Sequence, residues 1–305
     1  MIKRLKYKEV DFDKYSKCLE NSVQRKYSAK KEFLDITSGK NFEILIYNDY
    51  QAVMPVPLVR KFGINFVQNP KLCQQLGVFS ETDDKEINTL FLNFLNRNYL
   101  VSYYAFNDRN QFLTELPTRK NFIMMSEDYE TVAQRYSPKR KRKIRQEPEI
   151  KENSEIREKL SPFETREFIL STMRGADNNP KDSEDFLQLL NTFYENNSLD
   201  LYGYYYHEKL TNLIAVYTDF RTLALLGTFN DPEYMRISGA SVLIDYALKN
   251  TINQFDFDFE GGDIPNIEEF FRGFRPKMFP YPYLQNSKKN LIKQMLRRGS
   301  VFCWR

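Results

Sequence analysis

Two stretches of this 305-residue chain run through one order of hydrophobic periods, strands followed by an amphipathic helix and a further strand. That order constrains the fold more than any single motif. In the first stretch, the apolar run Phe42 to Tyr47, a turn at Asn48-Asp49 and the return Ala52-Val53-Met54-Pro55-Val56 predict a hairpin, and the proline predicts an edge for its second strand. Ile87, Leu90, Phe91, Phe94 and Leu95 follow the i, i+3, i+4, i+7, i+8 stripe of a helix, and residues 100–106 read as a strand. In the second stretch, Phe186, Leu189, Leu190, Phe193 and Tyr194 form a helical stripe, and 199–206, 213–217 and 223–229 read as three strands joined by short polar turns. Ile237, Ala240, Ser241, Ile244, Ala247 and Leu248 then give the buried stripe of the next helix. A strand at 255–259, a short helix from about 265 to 273 and a last strand around 281–284 follow. The expectation is an α/β (α+β) protein of two tandem domains, 1–135 and 151–305, the second ending in a terminal helix. Between them, 136–150 is expected to be a basic helical connector, with Ser137 as N-cap and Pro138 at the first helical position.

Hydrophobic residues make up 41% and aromatic residues 15%, enough apolar surface for a folded core, which excludes disorder as the main state. No apolar run approaches the roughly 18 to 20 residues of a membrane span, and the basic start Met1 to Lys8 leads into Glu9, Asp11 and Asp13 instead of a signal-peptide core. A cytoplasmic protein is expected. Cys18, Cys73 and Cys303 are odd in number and too widely spaced for metal-binding pairs, so they read as reduced thiols. The single histidine, His207, lies in the turn-like Tyr206-His207-Glu208-Lys209 and reads as a turn residue. Chemistry without a protein nucleophile and without metal is therefore expected.

The formal charge of +4 is local. Lys139, Arg140, Lys141, Arg142, Lys143 and Arg145 carry six positive charges, leaving 39 cations against 41 anions elsewhere. Such a segment points to a local contact and not to a protein coated for nucleic acid, and it is read in three ways: as a grip on a polyanion, as a contact for a smaller anion, or as a solvated face.

The common nucleotide, dinucleotide, zinc-protease and hydrolase signatures are absent. What stands out is a strand ending Leu225-Leu226-Gly227-Thr228-Phe229-Asn230, followed by Asp231 and a helix opening through Arg236-Ile237-Ser238-Gly239-Ala240-Ser241. Small residues at 238–241 leave first-turn N–H groups uncovered, and with the helix dipole these suit a phosphate; the same residues also suit close packing of helix on sheet. Downstream, Phe255-Asp256-Phe257-Asp258-Phe259-Glu260-Gly261-Gly262 alternates, placing three phenylalanines on one strand face and three carboxylates on the other. A solvent-facing edge explains such a face, and so does a cleft that raises carboxylate pKa values toward the range of a general base.

Residues 236–241 resemble the R/Q-x-x-G-x-G/A pyrophosphate-binding motif of the GNAT N-acyltransferases, with Ser241 at the final small position. Asp258-Phe259-Glu260-Gly261 with Phe270-Phe271-Arg272-Gly273-Phe274 resembles the DF-x-G … FF-x-x-F ending of the FemAB-like branch, and the Ser137-led basic helix resembles its connector. Residues 52–57 and 74–79 look like the N-terminal domain of related bacterial proteins, so the resemblance spans about 10 to 285. It implies two GNAT-like domains with mixed, mostly antiparallel sheets, and transfer of an acyl group to a small-molecule or peptide amine.

The donor implied is acetyl-CoA or another acyl-CoA, or alternatively aminoacyl-tRNA with a cell-wall peptide as acceptor. A catalytically silent protein of the same fold is a third reading. Phe229, Asn230, Arg236, Ser238, Gly239, Ala240 and Ser241 are the expected donor-binding residues. Glu260 is the first candidate for general base and Asp258 the second, with Tyr281 or Tyr283 as general acid.

Overall fold

The structure, a computed structural model, describes residues 1–61, 63–173, 179–219 and 221–302, with side chains in the last helix as far as 296. Cys303 and the side chains of Arg297 and Arg298 lie outside the described residues. The chain divides into two units, 1–119 with 280–305 and 120–279.

The first unit opens with strand β1 (Ile2–Lys6), helices α1 (Phe12–Asn21) and α2 (Lys31–Ser38), and strands β2 (Phe42–Tyr47), β3 (Ala52–Lys61), β4 (Ile64–Gln68) and β5 (Phe79–Ser80). Helix α3 (Lys85–Asn98) and β6 (Leu100–Ala105) follow. Next come β7 (Thr118–Met124), α4 (Tyr129–Arg135), α5 (Pro138–Arg145), α6 (Pro148–Glu152), β8 (Ser154–Arg157), α7 (Arg166–Thr172) and α8 (Pro180–Glu195). Strands β9 (Leu199–Tyr206), β10 (Lys209–Asp219) and β11 (Thr222–Asn230) lead through a short 3₁₀ turn, Pro232–Ile237, into α9 (Gly239–Thr251). Finally β12 (Asp256–Asp258) and α10 (Pro265–Arg272) precede β13 (Lys277–Gln285) and α11 (Lys288–Phe302).

The repeated order seen in the sequence is a repeated topology. In the first unit the strand order is β1-β2-β3-β4-β6-β13 and in the second it is β8-β9-β10-β11-β12-β7. Each path is antiparallel except at its fourth step, where β4 pairs β6 and β11 pairs β12 in parallel. In both cases the crossover that joins the parallel pair contains a helix, α3 in one unit and α9 in the other. The sixth strands are exchanged along the chain. β7, which follows β6 in sequence, pairs β12, and β13, which follows β12, pairs β6. The units therefore divide near 119 and 279, and the segment expected to connect them, 136–150, belongs to the second unit, while the terminal helix groups with the first. The physical reason is that the strand ladder before 136 and the helix packing after it both join the second unit's core, where Phe122, Val132 and Tyr136 cluster with Ile214, Leu243 and Phe257.

Two local expectations are corrected. β3 is not an edge strand, because β2 pairs its first six residues, β4 its last four and β5 its first two. Its prolines are tolerated because their backbone polar groups face away from β2: the Pro55 carbonyl accepts from Tyr104 Oη at 2.8 Å. In α3 the buried face is Asn88, Phe91, Leu92 and Leu95, while Leu90 is 48% exposed. Asn88 takes a core position because its amide donates to Asp83 at 2.7 Å and to the Gln111 carbonyl at 2.9 Å. No described helix is long and apolar enough to cross a membrane.

Candidate functional site

All of the expected site residues except the two tyrosines, Tyr281 and Tyr283, lie in the second unit, where β11, α9 and β12 meet. β11 runs from Thr222 to Asn230 and stays paired with β10 along this length, from Asp219↔Thr222 to Asn212↔Asn230. Its pairing with β12 covers only Thr222, Leu223 and Ala224. From Leu225 to Asn230 the β12 side of the strand carries no ladder among the described residues, which leaves backbone donors and acceptors along an open edge. A register shift opposite Ala215/Val216 also bulges the strand at Leu226, re-aiming its local backbone groups. In the first unit β4 ends at Gln68, where its parallel pairing with β6 ends too. The long open edge belongs to the second unit.

The helix after β11 begins later than the hydrophobic stripe suggests. Residues 232–237 form the 3₁₀ turn, Ser238 breaks it in the left-handed region (φ 62°, ψ 26°), and α9 starts at Gly239. In that conformation the Ser238 side chain makes no cap to the helix; it donates to the Arg236 carbonyl at 3.4 Å. Ser241 N–H turns back to the Ser238 carbonyl at 2.9 Å. Among the described residues no oxygen accepts from the N–H of Gly239 or Ala240, so two first-turn donors remain with the positive end of the helix dipole. The corresponding helix of the first unit is closed: the Asp84 carboxylate at the N-cap of α3 accepts from Glu86 and Ile87 N–H at 2.8 and 3.1 Å.

The expected donor-binding side chains have their own partners. Phe229 is 4% exposed and packs edge-on to Phe186 at 6.2 Å. Asn230 accepts from Asn212 at 2.7 Å. These two neighbours turn their main chains to opposite sides of the strand, so one of them offers its backbone to a ligand on the open edge. Gly239 is required by packing, since a Cβ there would lie 2.1 Å from Asn212 Oδ1 and 2.7 Å from a Tyr204 ring carbon. Ala240 is 8% and Ser241 2% exposed, and Ser241 Oγ accepts from Arg140 Nη1. Arg236 is exposed.

Ser137 caps α5 as the sequence indicates, accepting from Arg140 N–H at 3.2 Å, with Pro138 at the first helical position. Of the six cations of this helix, Lys139, Lys141, Arg142 and Arg145 are exposed and Lys143 is half-buried. Lys139 pairs with Glu269 at 2.8 Å. Arg140 departs from the outward face: it is 4% exposed and sits between Phe270 and Phe274, its guanidinium carbon 4.2 and 4.3 Å from the ring centres. An aromatic clasp offers a guanidinium both faces of contact, which draws it inward. Burial lowers the Arg140 pKa to about 10, leaving it charged at neutral pH. Desolvation, then the charges of Arg140 and Lys139, also lower that of Lys143. No carboxylate pairs with Arg140 among the described residues.

On β12 the alternation places Phe257 and Phe259 in the core, each 1% exposed. The carboxylate face is covered by β7 and the turn after it, not open as an edge. Asp256 accepts from Ser126 N–H at 2.7 Å. Asp258, 2% exposed, accepts from Asn121 Nδ2 and Glu260 N–H, both at 2.9 Å. The strand stops at Asp258, and Glu260 lies beyond it in a left-handed turn with φ 52°, half-buried. The glycines after it are held in place: Gly261 N–H donates to Asn121 Oδ1 at 3.0 Å, and Gly262 rests against the Phe122 ring. Asn121 ties Asp258 and Gly261 together, a role with no sequence signal, because β7 mixes Thr118, Arg119, Lys120 and Asn121 before its apolar residues. Tyr281 is 3% exposed and belongs to the first unit, so the second unit does not hold it together with Asp258 and Glu260. Tyr283, also of that unit, lies with Tyr103 under the Arg119 guanidinium, 4.9 Å from each ring centre.

No family model and no curated protein matches this sequence. Among solved structures the chain is similar to FemX, with a TM-score of 0.64 at 7% identity over 92% of this chain and 96% of that one. It is similar to a tandem GNAT protein from the clavulanic acid biosynthesis pathway, with a TM-score of 0.51 at 9% identity over 93% and 97%. L-PGS from Bacillus licheniformis aligns at a TM-score of 0.50 and 10% identity over 96% and 97%. At such identities the likeness is one of architecture, and it agrees with the doubled sheet topology: this chain shares its fold with FemX and with the tandem GNAT protein.

Proposed function

We propose that the chain is an N-acyltransferase whose second unit holds an acyl-CoA donor, with the diphosphate at the start of α9 and the pantetheine arm along the open edge of β11. The observation that carries this reading is the contrast between two equivalent helices: α3 has its first-turn N–H groups closed by Asp84, whereas Gly239 and Ala240 of α9 keep theirs open. Arg236, exposed beside that turn, supplies counter-charge. The unpaired backbone near the Leu226 bulge hydrogen-bonds the arm and faces the thioester carbonyl, where oriented N–H groups stabilise the oxyanion.

In this reading the acceptor amine attacks the thioester carbonyl and gives its proton to Glu260, at the turn that follows β12; Asp258, engaged by Asn121 and by the Glu260 N–H, orients that turn. The C–N bond forms, the C–S bond breaks, and the departing thiolate takes up a proton as coenzyme A thiol. Positioning of donor and acceptor carries most of the rate.

A second reading, transfer from aminoacyl-tRNA to a peptide or other amine, is favoured by the exposed cations Lys139, Lys141, Arg142 and Arg145 on α5. Thermal melting with acetyl-CoA, coenzyme A and charged tRNA separates the two. A donor at a hundred times its Kd stabilises by about 2.7 kcal/mol, which raises the midpoint by roughly 5 to 10 °C. Ser238→Asp, which places a negative charge beside the open helix start without changing the left-handed backbone, is expected to keep the free protein's midpoint and abolish protection by acetyl-CoA. Full protection of that variant contradicts the assignment, and protection by charged tRNA alone selects the second reading.

A further inference from the structure

Two side chains of α5 turn inward and hold the turn 237–241 from its two ends. Arg140 reaches one end: Nη1 donates to Ser241 Oγ and Nη2 to the Phe270 carbonyl at 2.6 Å. Room for it comes from Gly273, where a Cβ would lie 2.9 Å from Arg140 Nε and 3.0 Å from Nη2. Its Nε is buried without a hydrogen-bond partner. A buried guanidinium with no carboxylate, beside the positive end of a helix, is a poor way to stabilise a fold; an apolar side chain of the same volume does better.

Gln146, at the other end of α5, is also kept at a cost. It sits at φ 56° and ψ 175°, a region occupied almost only by glycine. In that conformation its Nε2 donates to the Ile237 carbonyl at 2.6 Å and its Oε1 accepts from Tyr204 Oη at 2.9 Å. The residue before the turn's left-handed Ser238 and the third residue of α9 are thus both fixed from one helix. Between these two fixed points lie the open N–H groups of Gly239 and Ala240.

We propose that Arg140 and Gln146 are positioning residues, a two-point clamp through which α5 holds the 237–241 turn in the shape that receives the donor's diphosphate. The inference rests on the donor reading above and assigns the basic helix a part in it from behind the turn, separate from any contact its exposed cations make. Strain at Gln146 and an uncompensated charge at Arg140 are what a fold retains when a backbone geometry, and not stability, is being maintained.

Calorimetric titration of the full chain with coenzyme A tests it, using wild type, Gln146→Gly and Arg140→Lys. Gln146→Gly removes the strain together with both hydrogen bonds, so its melting midpoint stays near wild type while the Kd rises about tenfold. Arg140→Lys keeps the charge but loses the forked donation and the flat stacking, and weakens binding to a similar degree. A purely structural role leaves the response of the Gly239 and Ala240 amide resonances to coenzyme A unchanged in folded Gln146→Gly; the clamp predicts that both respond less. Wild-type affinity in both folded variants overturns the clamp and leaves the donor reading standing. No coenzyme A binding by wild type at millimolar concentration overturns the donor reading and the clamp with it. Loss of folding in Gln146→Gly contradicts the claim that the residue is held at a cost, and Arg140→Lys then decides alone.

Discussion

Gly239→Ala separates what packing demands of the α9 start from what a ligand demands. The added Cβ would lie 2.1 Å from Asn212 Oδ1 and 2.7 Å from Asn212 Cγ and Tyr204 Cδ1, so the amide of Asn212 must retreat by more than an ångström. It has nowhere easy to go. Asn212 is 3% exposed, accepts from Thr211 Oγ1 at 3.0 Å and donates to Asn230 at 2.7 Å. Overpacking costs about 1 to 3 kcal/mol and one disturbed buried hydrogen bond about 1 more, while alanine in place of glycine returns up to about 1 in a helix. The net loss is about 2 kcal/mol. For the unfolding transition of the second unit, with a urea slope near 2 kcal/mol per molar, the midpoint falls by roughly 1 M. Asn212→Ala removes the nearer obstacle and leaves the Tyr204 ring carbon at 2.7 Å, so Gly239→Ala in that background costs about 1 kcal/mol, a coupling of about 1 kcal/mol. Urea melts of the four proteins followed by circular dichroism measure it. An unchanged midpoint for Gly239→Ala alone refutes the packing argument.

Three further outcomes follow from the same structure. Gly262→Ala, at φ 146° with its Cβ 2.3 Å from Phe122 Cε2, destabilises by about 2 kcal/mol or more, read as a lower melting midpoint. Burial raises the Asp245 carboxyl above its ordinary 3.8, against the lowering hydrogen bond from Tyr129. Because the folded state then holds this proton more tightly, its contribution to stability is present below the ordinary carboxylate range and is lost as pH rises through the folded pKa. Asp245→Asn removes that loss, so the stability difference between variant and wild type grows from pH 3 upward; a constant difference contradicts it. Burial pushes the Cys18 thiol up to about 11 from 9.0, leaving roughly a hundredth of the ordinary thiolate, so alkylation at pH 7.5 is slow until the chain unfolds.

The strands β9, β10 and β11 and the helices α5, α8 and α9 were legible because their signals are local: apolar alternation, a helical stripe, Ser137 before Pro138. β1 was not, since Ile2-Lys3-Arg4-Leu5-Lys6 reads as a charged start until β2 supplies its partner. The exchange of β7 and β13 between the units is a pairing over more than a hundred residues that no local period encodes. At the site, the open start of α9 was visible in the small residues 238–241. Its break at Ser238 was not, because left-handed serine has no sequence signature. The inward turn of Arg140 was equally hidden: within a run of six cations nothing distinguishes the one that Phe270 and Phe274 enclose.

The crystal structure of the protein with acetyl-CoA tests the central claim most directly. The account predicts the diphosphate on the N–H groups of Gly239 and Ala240 with Arg236 turned toward it, and the pantetheine arm along 225–230. A diphosphate bound elsewhere, with those two N–H groups facing only solvent, contradicts it.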